Sequence, residues 1–177
     1  IDVLATSLGV GDAVSKLTAS AMGGTTLFQN ALKARLDLIK PSIENLENIQ
    51  KEHPLQFTPR LEELIEILHK KGKNIYLVSG GFRQMINPIA LQLGISVSNI
   101  YANNLFFTED GEYDGFDINE PTSKDGGKPK VVQELIDKYD YKCVIMIGDG
   151  ATDMQARPPA KAFIGYGGII EREKVKN

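Results

Sequence analysis

One stretch of this 177-residue chain, residues 144–154, constrains its fold more than any other. It opens at Val144 with a short apolar run rich in β-branched residues, which is typical of a buried parallel strand. Gly148-Asp149-Gly150 follows and predicts a tight turn into a helix over residues 151–157. The pattern favours an α/β fold, in which ligands bind at the carboxyl ends of the strands.

Two carboxylates lie at this predicted strand end, those of Asp149 and Asp153. Anionic oxygen atoms suit Mg²⁺, which takes one or two protein carboxylates together with waters and a phosphate oxygen. The alternative is a solvated loop in which one acid caps the helix. The motif alone leaves both interpretations open, so residues at the ends of neighbouring strands must decide between them.

The pattern along the chain predicts two parts. Residues 1–55 show helical spacing and no strand signal, and we interpret them as a small helical cap. Residues 56–177 are expected to form a Rossmann-like core with a parallel sheet and a β-hairpin flap at about residues 99–118. The elements predicted in the core are a helix over 58–71 capped by Thr58, a strand over 74–79, helices over 82–93 and 128–138, and strands over 143–147 and 162–165.

Two further positions in the core could handle an anion. Ser79 ends a predicted strand, and the backbone N–H groups of Gly80 and Gly81 are predicted to open the next helix as an anion nest. Lys128 follows Gly126-Gly127 at a helix start, where the helix dipole disfavours a cation unless an anion lies nearby. A serine N-cap and a solvated surface lysine are the alternatives.

Three motifs together resemble those of a known enzyme family. Residues 77–82, 126–128 and 147–153 resemble, in order, the second, third and fourth motifs of the haloacid dehalogenase-like phosphatases. Residues 21–24, followed by Phe28 and Arg35, resemble the helical cap of the phosphoserine phosphatases. The resemblance implies Mg²⁺-dependent hydrolysis of O-phosphoserine to serine and phosphate through a phosphoaspartyl intermediate, the last step of serine biosynthesis.

The resemblance also implies roles for individual residues. Asp149 would bind Mg²⁺ and Asp153 would support it, while Ser79 and Lys128 would hold the phosphoryl oxygens. Arg35 would pair with the substrate carboxylate, although without the family its stem would be expected to cover the helix with its head in water. The residues implied at the substrate are Met22, Gly23, Phe28, Arg35, Ser79, Gly80, Gly81, Lys128 and Thr152.

The chain departs from the family in its first motif. No Asp-x-Asp pair, which supplies the nucleophile and the general acid in the family, occurs in the 177 residues. We expect that motif upstream of Ile1, on a central strand between strands 74–79 and 143–147, and we interpret the sequence as a piece of a longer chain. The alternative is a catalytically inactive form that binds phosphate or a protein partner. A receiver-type phosphoacceptor is disfavoured, because receivers place their acidic pair first and their lysine last.

Composition bounds the partners. A net charge of −3 indicates no large basic surface for nucleic acid, and no apolar run approaches the length of a membrane span. The single cysteine, Cys143, cannot form an internal disulfide and is predicted to be buried at a strand start. We expect a small-molecule substrate and a cytoplasmic protein, with an organelle and a homodimer left open as alternatives.

Overall fold

A computed structural model describes residues 1–22, 27–168 and 171–176. The chain divides into two compact units, Ile1–Asp125 and Gly126–Asn177. Among the described residues, no helix combines the length and the apolar character needed to cross a bilayer. Each unit is described in turn.

The first unit begins with helices. Their bounds are α1 Asp2–Ser7, α2 Gly11–Met22, α3 Phe28–Ile39 and α4 Ile43–Glu52. The cap of α4 follows from its sequence: the Ser42 hydroxyl accepts from the Asn45 N–H at 3.1 Å, and the Asn45 side chain accepts from the Ser42 N–H at 3.0 Å. The sequence before α3 offers Thr25 or Thr26 as its N-cap, and both residues lie outside the described residues.

One apolar core joins these helices to the strands that follow in the same unit. We call it the bundle cluster; its buried members are Leu4, Ala5, Val14, Leu32, Leu36, Ile39, Leu46, Ile49, Phe82 and Leu105. The helices present these residues at helical spacing, so that one apolar stripe of each faces the cluster. Phe82 and Leu105 belong to strands, so part of the sheet-forming region packs in the same core as the helices.

An α–β–α segment follows, consisting of α5 Leu61–Lys70, β1 Leu77–Phe82 and α6 Arg83–Gln92. The predicted Thr58 cap is wrong, because Arg60 is the N-cap of α5, has a left-handed φ of 68° and makes no side-chain capping bond. The predicted strand over 74–79 lies three residues too early, since pairing with the next strand begins at Leu77.

The segment predicted as a hairpin flap is divided in the structure. Strand β2 (Ile100–Asn103) pairs in parallel with β1, and only β3 (Leu105–Phe107) and β4 (Tyr113–Phe116) form an antiparallel hairpin. Apolar alternation predicted strands here but could not distinguish a parallel partner from a hairpin arm. A second apolar cluster packs β2 against helices α5 and α6. Its buried members are Ile65, Ala90, Leu93, Ile95, Ile100 and Ala102.

The second unit consists of α7 Gly127–Tyr139, β5 Ile145–Gly148, α8 Ala151–Met154, β6 Ala162–Gly165 and α9 Glu173–Lys176. Strands β5 and β6 pair in parallel, with Ile147 opposite Ile164. The prediction of a fully buried strand is wrong, because Met146 is 8% exposed whereas Ile145 and Ile147 are 52% and 53% exposed. Cys143 precedes the strand and is exposed, also against the prediction.

The exposure of β5 has a physical reason. Among the described residues, β5 has one strand neighbour, β6, and β1 likewise has one, β2. A strand that is paired along one edge and covered on one face buries only alternate side chains. Each sheet therefore keeps an edge with unpaired backbone groups in the part of the chain that the structure describes.

Candidate active site

Strand β1 contains a β-bulge at Ser79, Gly80 and Gly81, which we call the Ser79 loop. These three residues lie between the paired positions Val78 and Phe82, whereas only Ala102 lies between their partners on β2. Such a bulge bends the strand and redirects its side chains. Helix α6 begins only at Arg83, so the prediction that Gly80 and Gly81 open the helix is wrong.

The Ser79 hydroxyl accepts a hydrogen bond from within the Ser79 loop. The Gly81 N–H donates to Ser79 Oγ over 3.0 Å. Because a hydroxyl has one proton and two lone pairs, an oxygen that accepts this bond keeps its proton for another acceptor. A Cβ added at Gly81 would lie 3.2 Å from Ser79 Oγ, so a glycine here leaves the hydroxyl in place.

Phe28, at the start of α3, lies next to the Ser79 loop. A Cβ on Gly80 would lie 3.5 Å from Phe28 Cζ, which is ordinary contact distance. The Phe28 N–H donates to the Asp125 carboxylate over 3.0 Å. An acidic side chain thereby satisfies a free N–H at a helix start, a role that Leu27 cannot fill as the N-cap. The predicted substrate residues Phe28, Ser79, Gly80 and Gly81 therefore belong to one part of the first unit.

Arg35 is buried on α3 and is only 8% exposed. Its Nε donates to the Ala31 carbonyl over 3.0 Å, and its Nη1 lies 3.5 Å from Thr18 Oγ1. Burial lowers the pKa of the Arg35 guanidinium, while Asp2 acts in the opposite direction. Among the described residues no carboxylate forms an ion pair with it, so the buried cation has capacity for an anion. The alternative of a head in open water does not fit this burial.

In the second unit, Lys128 and Asp153 form an ion pair. Lys128 Nζ donates to Asp153 Oδ1, and the two side chains are 17% and 8% exposed. The Gly150 N–H also donates to Asp153 Oδ2, over 3.1 Å. Lys128 follows the N-cap Gly126 in the first turn of α7, as predicted, and a carboxylate offsets the unfavourable dipole there.

Asp149 lies between β5 and α8 and is half exposed. Arg172 Nε donates to Asp149 Oδ2 over 3.2 Å, with side chains 39% and 50% exposed for arginine and aspartate. Thr152 is exposed in the first turn of α8. Asp149 and Asp153 fit Mg²⁺ by donor chemistry, since the ion needs only one or two protein carboxylates. No group of three or more His, Cys, Asp or Glu side chains arranged for a metal occurs in the part of the chain that the structure describes.

Two predicted substrate residues cannot be placed. The backbone of Met22 ends α2, but its side chain and the whole of Gly23 lie outside the described residues. The structure therefore brings together Phe28, Ser79, Gly80 and Gly81 in the first unit, and Lys128, Asp153 and the turn after β5 in the second.

Sequence reasoning missed several residues around these groups. Asp125, Arg172, Asn103 and Thr122 make the contacts that hold the predicted residues or their loops. Asn103 carried the clearest signal, since a polar residue that ends an apolar strand lies where ligands bind in α/β sheets. The other three are polar residues in loops or near the chain end, and no local pattern marks them.

Comparison with known proteins gives consistent matches. A family model described as haloacid dehalogenase-like hydrolase matches residues 3–160. The chain is 48% identical over 177 residues to phosphoserine phosphatase of Bos taurus, covering 100% of this chain and 79% of the relative. It is 51% identical over 177 residues to the chloroplastic phosphoserine phosphatase of Arabidopsis thaliana, covering 99% of this chain and 60% of the relative.

Solved structures agree. A substrate-bound phosphoserine phosphatase complex superposes with a TM-score of 0.81 at 27% identity, covering 99% of this chain and 80% of that chain. A phospho-aspartyl intermediate analogue of phosphoserine phosphatase gives 0.77 at 30% identity, with 93% and 77% covered. A phosphoserine phosphohydrolase-like protein from Francisella tularensis gives 0.79 at 30% identity, with 99% and 81% covered.

Proposed function

The chain belongs to the haloacid dehalogenase-like hydrolases and, within them, to the phosphoserine phosphatases, and we propose that it hydrolyses O-phosphoserine with Mg²⁺. The observation that carries the proposal is 48% identity over all 177 residues to a relative named for this activity. The family membership and the α/β fold class predicted from the three motifs are confirmed. The assignment of roles to residues is part of the proposal.

Ser79 and Lys128 are proposed to bind the transferring phosphoryl group. The bond from the Gly81 N–H supports this role for Ser79, because it leaves the hydroxyl proton free to donate to a phosphoryl oxygen. Lys128 supplies a positive charge whose partner, Asp153, holds it in a defined position. Fixed donors aimed at developing negative charge stabilise phosphoryl transfer without reorganisation.

Mg²⁺ is proposed to bind at Asp149. Asp149 is half exposed and its contact with Arg172 is at the surface, whereas Asp153 is buried and engaged by Lys128. Asp149 would therefore bind the ion directly. Asp153 would support the site indirectly, because it accepts a hydrogen bond from the Gly150 N–H and so fixes the turn that carries Asp149. When bound, the ion would neutralise charge on the phosphoryl oxygens.

We propose that the nucleophile of this reaction lies outside the 177 residues, in which no Asp-x-Asp pair occurs. In the family reaction an aspartate oxygen attacks phosphorus, the bond to the serine oxygen breaks, and a second aspartate protonates the leaving oxygen. Water then releases phosphate from the phosphoaspartyl intermediate. We expect residues 1–177 alone to release no phosphate from phosphoserine above the level of Asp149→Ala.

The helical segment 1–55 is proposed as the cap that selects the substrate. Arg35 supplies a buried guanidinium that has no ion-pair partner among the described residues, which suits a carboxylate of the substrate. Phe28 narrows the space above Gly80. The cytoplasm is the proposed location, and a plastid is the alternative, since one relative is named chloroplastic.

The test compares two substrates that differ only in the carboxylate. Phosphate release from O-phosphoserine and from O-phosphoethanolamine is measured with the active enzyme, nucleophile included. We expect phosphoserine to be preferred by about tenfold to hundredfold in kcat/KM, the contribution of one charge-assisted hydrogen-bonded pair. Arg35→Gln should remove that preference and leave phosphoethanolamine turnover nearly unchanged.

Lys33→Gln is the matched control. Lys33 lies on the same helix, pairs with Asp37 at 2.6 Å and is 66% exposed, so its loss removes the same charge at the surface. It should change neither substrate's turnover. Equal wild-type efficiency on the two substrates would contradict the role of Arg35, and failure to release phosphate from either would contradict the proposed function.

A further inference from the structure

A buried amide lies behind the glycine pair of β1. Asn103, the last residue of β2, is 0% exposed, and its Nδ2 donates to the Gly80 carbonyl over 2.8 Å. Its Oδ1 accepts from the Thr122 hydroxyl over 3.1 Å, and Thr122 is 4% exposed. Both side chains are thus held in a short buried hydrogen-bond chain that ends on the backbone of the Ser79 loop.

The orientation of the Asn103 amide is fixed by its partners. The Gly80 carbonyl can only accept, so the Asn103 atom that faces it must be the N–H₂ group. The amide oxygen then faces Thr122, whose hydroxyl can donate to it. A flipped amide would place two acceptor oxygens against each other in a buried site.

Holding the Gly80 carbonyl also sets the neighbouring N–H. The Gly80 C=O and the Gly81 N–H belong to one planar trans peptide and point in opposite directions. The Gly81 N–H donates to Ser79 Oγ over 3.0 Å, so both ends of this peptide are bonded. A peptide between two glycines can otherwise rotate at little steric cost, because neither residue has a Cβ.

We propose that Asn103, supported by Thr122, is a positioning residue that orients the Gly80–Gly81 peptide and thereby presents the Ser79 hydroxyl as a donor to the phosphoryl group. The inference rests on the proposed role of Ser79. With the peptide held, Ser79 Oγ accepts from Gly81 and its proton points to the ligand. With the peptide rotated, the Gly81 N–H leaves Ser79 and the hydroxyl loses its fixed direction.

The first test measures the peptide itself, without catalysis. In residues 1–177, Asn103→Leu removes the donor while keeping a side chain of similar size. We expect the Gly81 amide resonance to shift in ¹H–¹⁵N spectra and its hydrogen exchange to accelerate at least about tenfold, because the buried bond that fixes the orientation of its peptide is lost. Binding of inorganic phosphate should weaken in parallel. An unchanged Gly81 amide would overturn the proposal.

Asn99→Ala is the matched control. Asn99 Nδ2 donates to the Ile75 carbonyl over 3.0 Å, so it makes the same kind of bond to the backbone just before β1. Its loss should lower the melting temperature without changing the Gly81 amide or phosphate binding. If Asn99→Ala changed them as much as Asn103→Leu, the effect would be general destabilisation and the proposal would be wrong.

Thr122→Val provides a milder change should Asn103→Leu fail to fold. It keeps the shape of the side chain and removes the hydroxyl, so it should shift the Gly81 amide in the same direction by a smaller amount, and Thr122→Ser should restore it. No shift in Thr122→Val would contradict the supporting role of Thr122.

The second test uses the active enzyme. Asn103→Leu should lower kcat for phosphoserine at least about tenfold, as expected when a donor is displaced from its productive position. In a Ser79→Ala background it should have no further effect, because it acts through Ser79. An equal loss in both backgrounds overturns the proposal. A shifted Gly81 amide in an enzyme with no phosphatase activity instead contradicts the proposed function and supports the orientation of the loop.

Discussion

At the scale of single residues, the position of the Asp153 carboxylate depends on two neighbouring glycines, Gly148 and Gly150. Asp153 packs so closely on Gly148 that a Cβ there would overlap its carboxylate. Gly150, on the other side, supplies the N–H that Asp153 accepts. The carboxylate therefore lies against backbone on one side and Lys128 on the other, which fixes both charges in a buried place.

Gly148→Ala should therefore displace Asp153. A Cβ that overlaps a buried side chain costs about 1–3 kcal/mol, and we expect this loss in the free energy of unfolding measured by urea denaturation. Gly150→Ala is the milder comparison and should lose less stability: its backbone, at φ −114° and ψ 162°, suits any residue, and a Cβ 3.3 Å from Asp153 Oδ2 requires the carboxylate to move by only a few tenths of an ångström. Equal stability of wild type and Gly148→Ala would show that the turn adapts freely.

Lys128→Met should destabilise the protein by leaving Asp153 buried and unpaired. Breaking a buried ion pair by removing one partner costs about 3–5 kcal/mol, and Lys128→Met/Asp153→Asn should lose less than the sum of the single changes. Lys142→Met is the control, since its pair with Asp140 has side chains 82% and 84% exposed. Additive losses in the double variant would contradict coupling between Lys128 and Asp153.

At the scale of secondary-structure elements, the first unit is held by contacts between its helices and its hairpin. The Ile43 N–H, at the start of α4, donates to the Gly111 carbonyl in the β3–β4 turn over 2.9 Å. Tyr113 on β4 packs against the bundle cluster. The start of α4 is thus bonded to the hairpin turn, and the hairpin packs on the helices. Substitutions at the start of α4 and on the hairpin test the contribution of each to stability.

The cap of α4 should contribute measurably to stability. Ser42→Ala removes the acceptor for the Asn45 N–H, and replacing such a cap costs about 1 kcal/mol. Ser42→Asp keeps an acceptor and should retain most of the stability in thermal unfolding. If Ser42→Ala and wild type unfolded at the same temperature, the Ser42–Asn45 capping box would contribute nothing to stability.

Tyr113 should make the first unit sensitive to alkali. Burial, and to a lesser extent Asp37, raises the pKa of Tyr113 to about 12. A folded pKa above the ordinary value near 10 means that the folded state holds the proton more tightly. Its contribution to stability is complete below about pH 10 and is lost as the pH rises towards 12.

The measurement is the urea midpoint between pH 8 and pH 11.5 in wild type and Tyr113→Phe. The phenylalanine variant keeps the ring but has no proton to lose, so its midpoint should fall less over this range. Identical pH dependence in the two proteins would rule out a contribution from Tyr113.

At the scale of the whole chain, local patterns predicted most elements and the family, but not every pairing or burial. Residues 147–153 predicted the turn that carries Asp149, because glycine and aspartate spacing is a local property. The parallel partner of β1, the exposed faces of Ile145 and Ile147, and the buried Asn103 depend on which distant segments pack together. A single sequence does not contain that information in any one window.

The Ser79 loop shows the same difference between what local sequence and what distant packing determine. The residue types of Ser79-Gly80-Gly81 predict a strand end, whereas the bulge and the bond to Asn103 arise from pairing with β2. The family resemblance indicates a role for Arg35, but its burial does not follow from the helix pattern, which equally suits a surface arginine.

Phosphate release from O-phosphoserine by the active enzyme, measured with and without Mg²⁺, tests the proposed function most directly. We predict release that requires Mg²⁺ and falls by about a hundredfold or more in both Lys128→Ala and Asp149→Ala, the loss typical of a group that stabilises developing charge. Turnover by either variant within tenfold of wild type, or full activity after Mg²⁺ is removed by chelation, would contradict it.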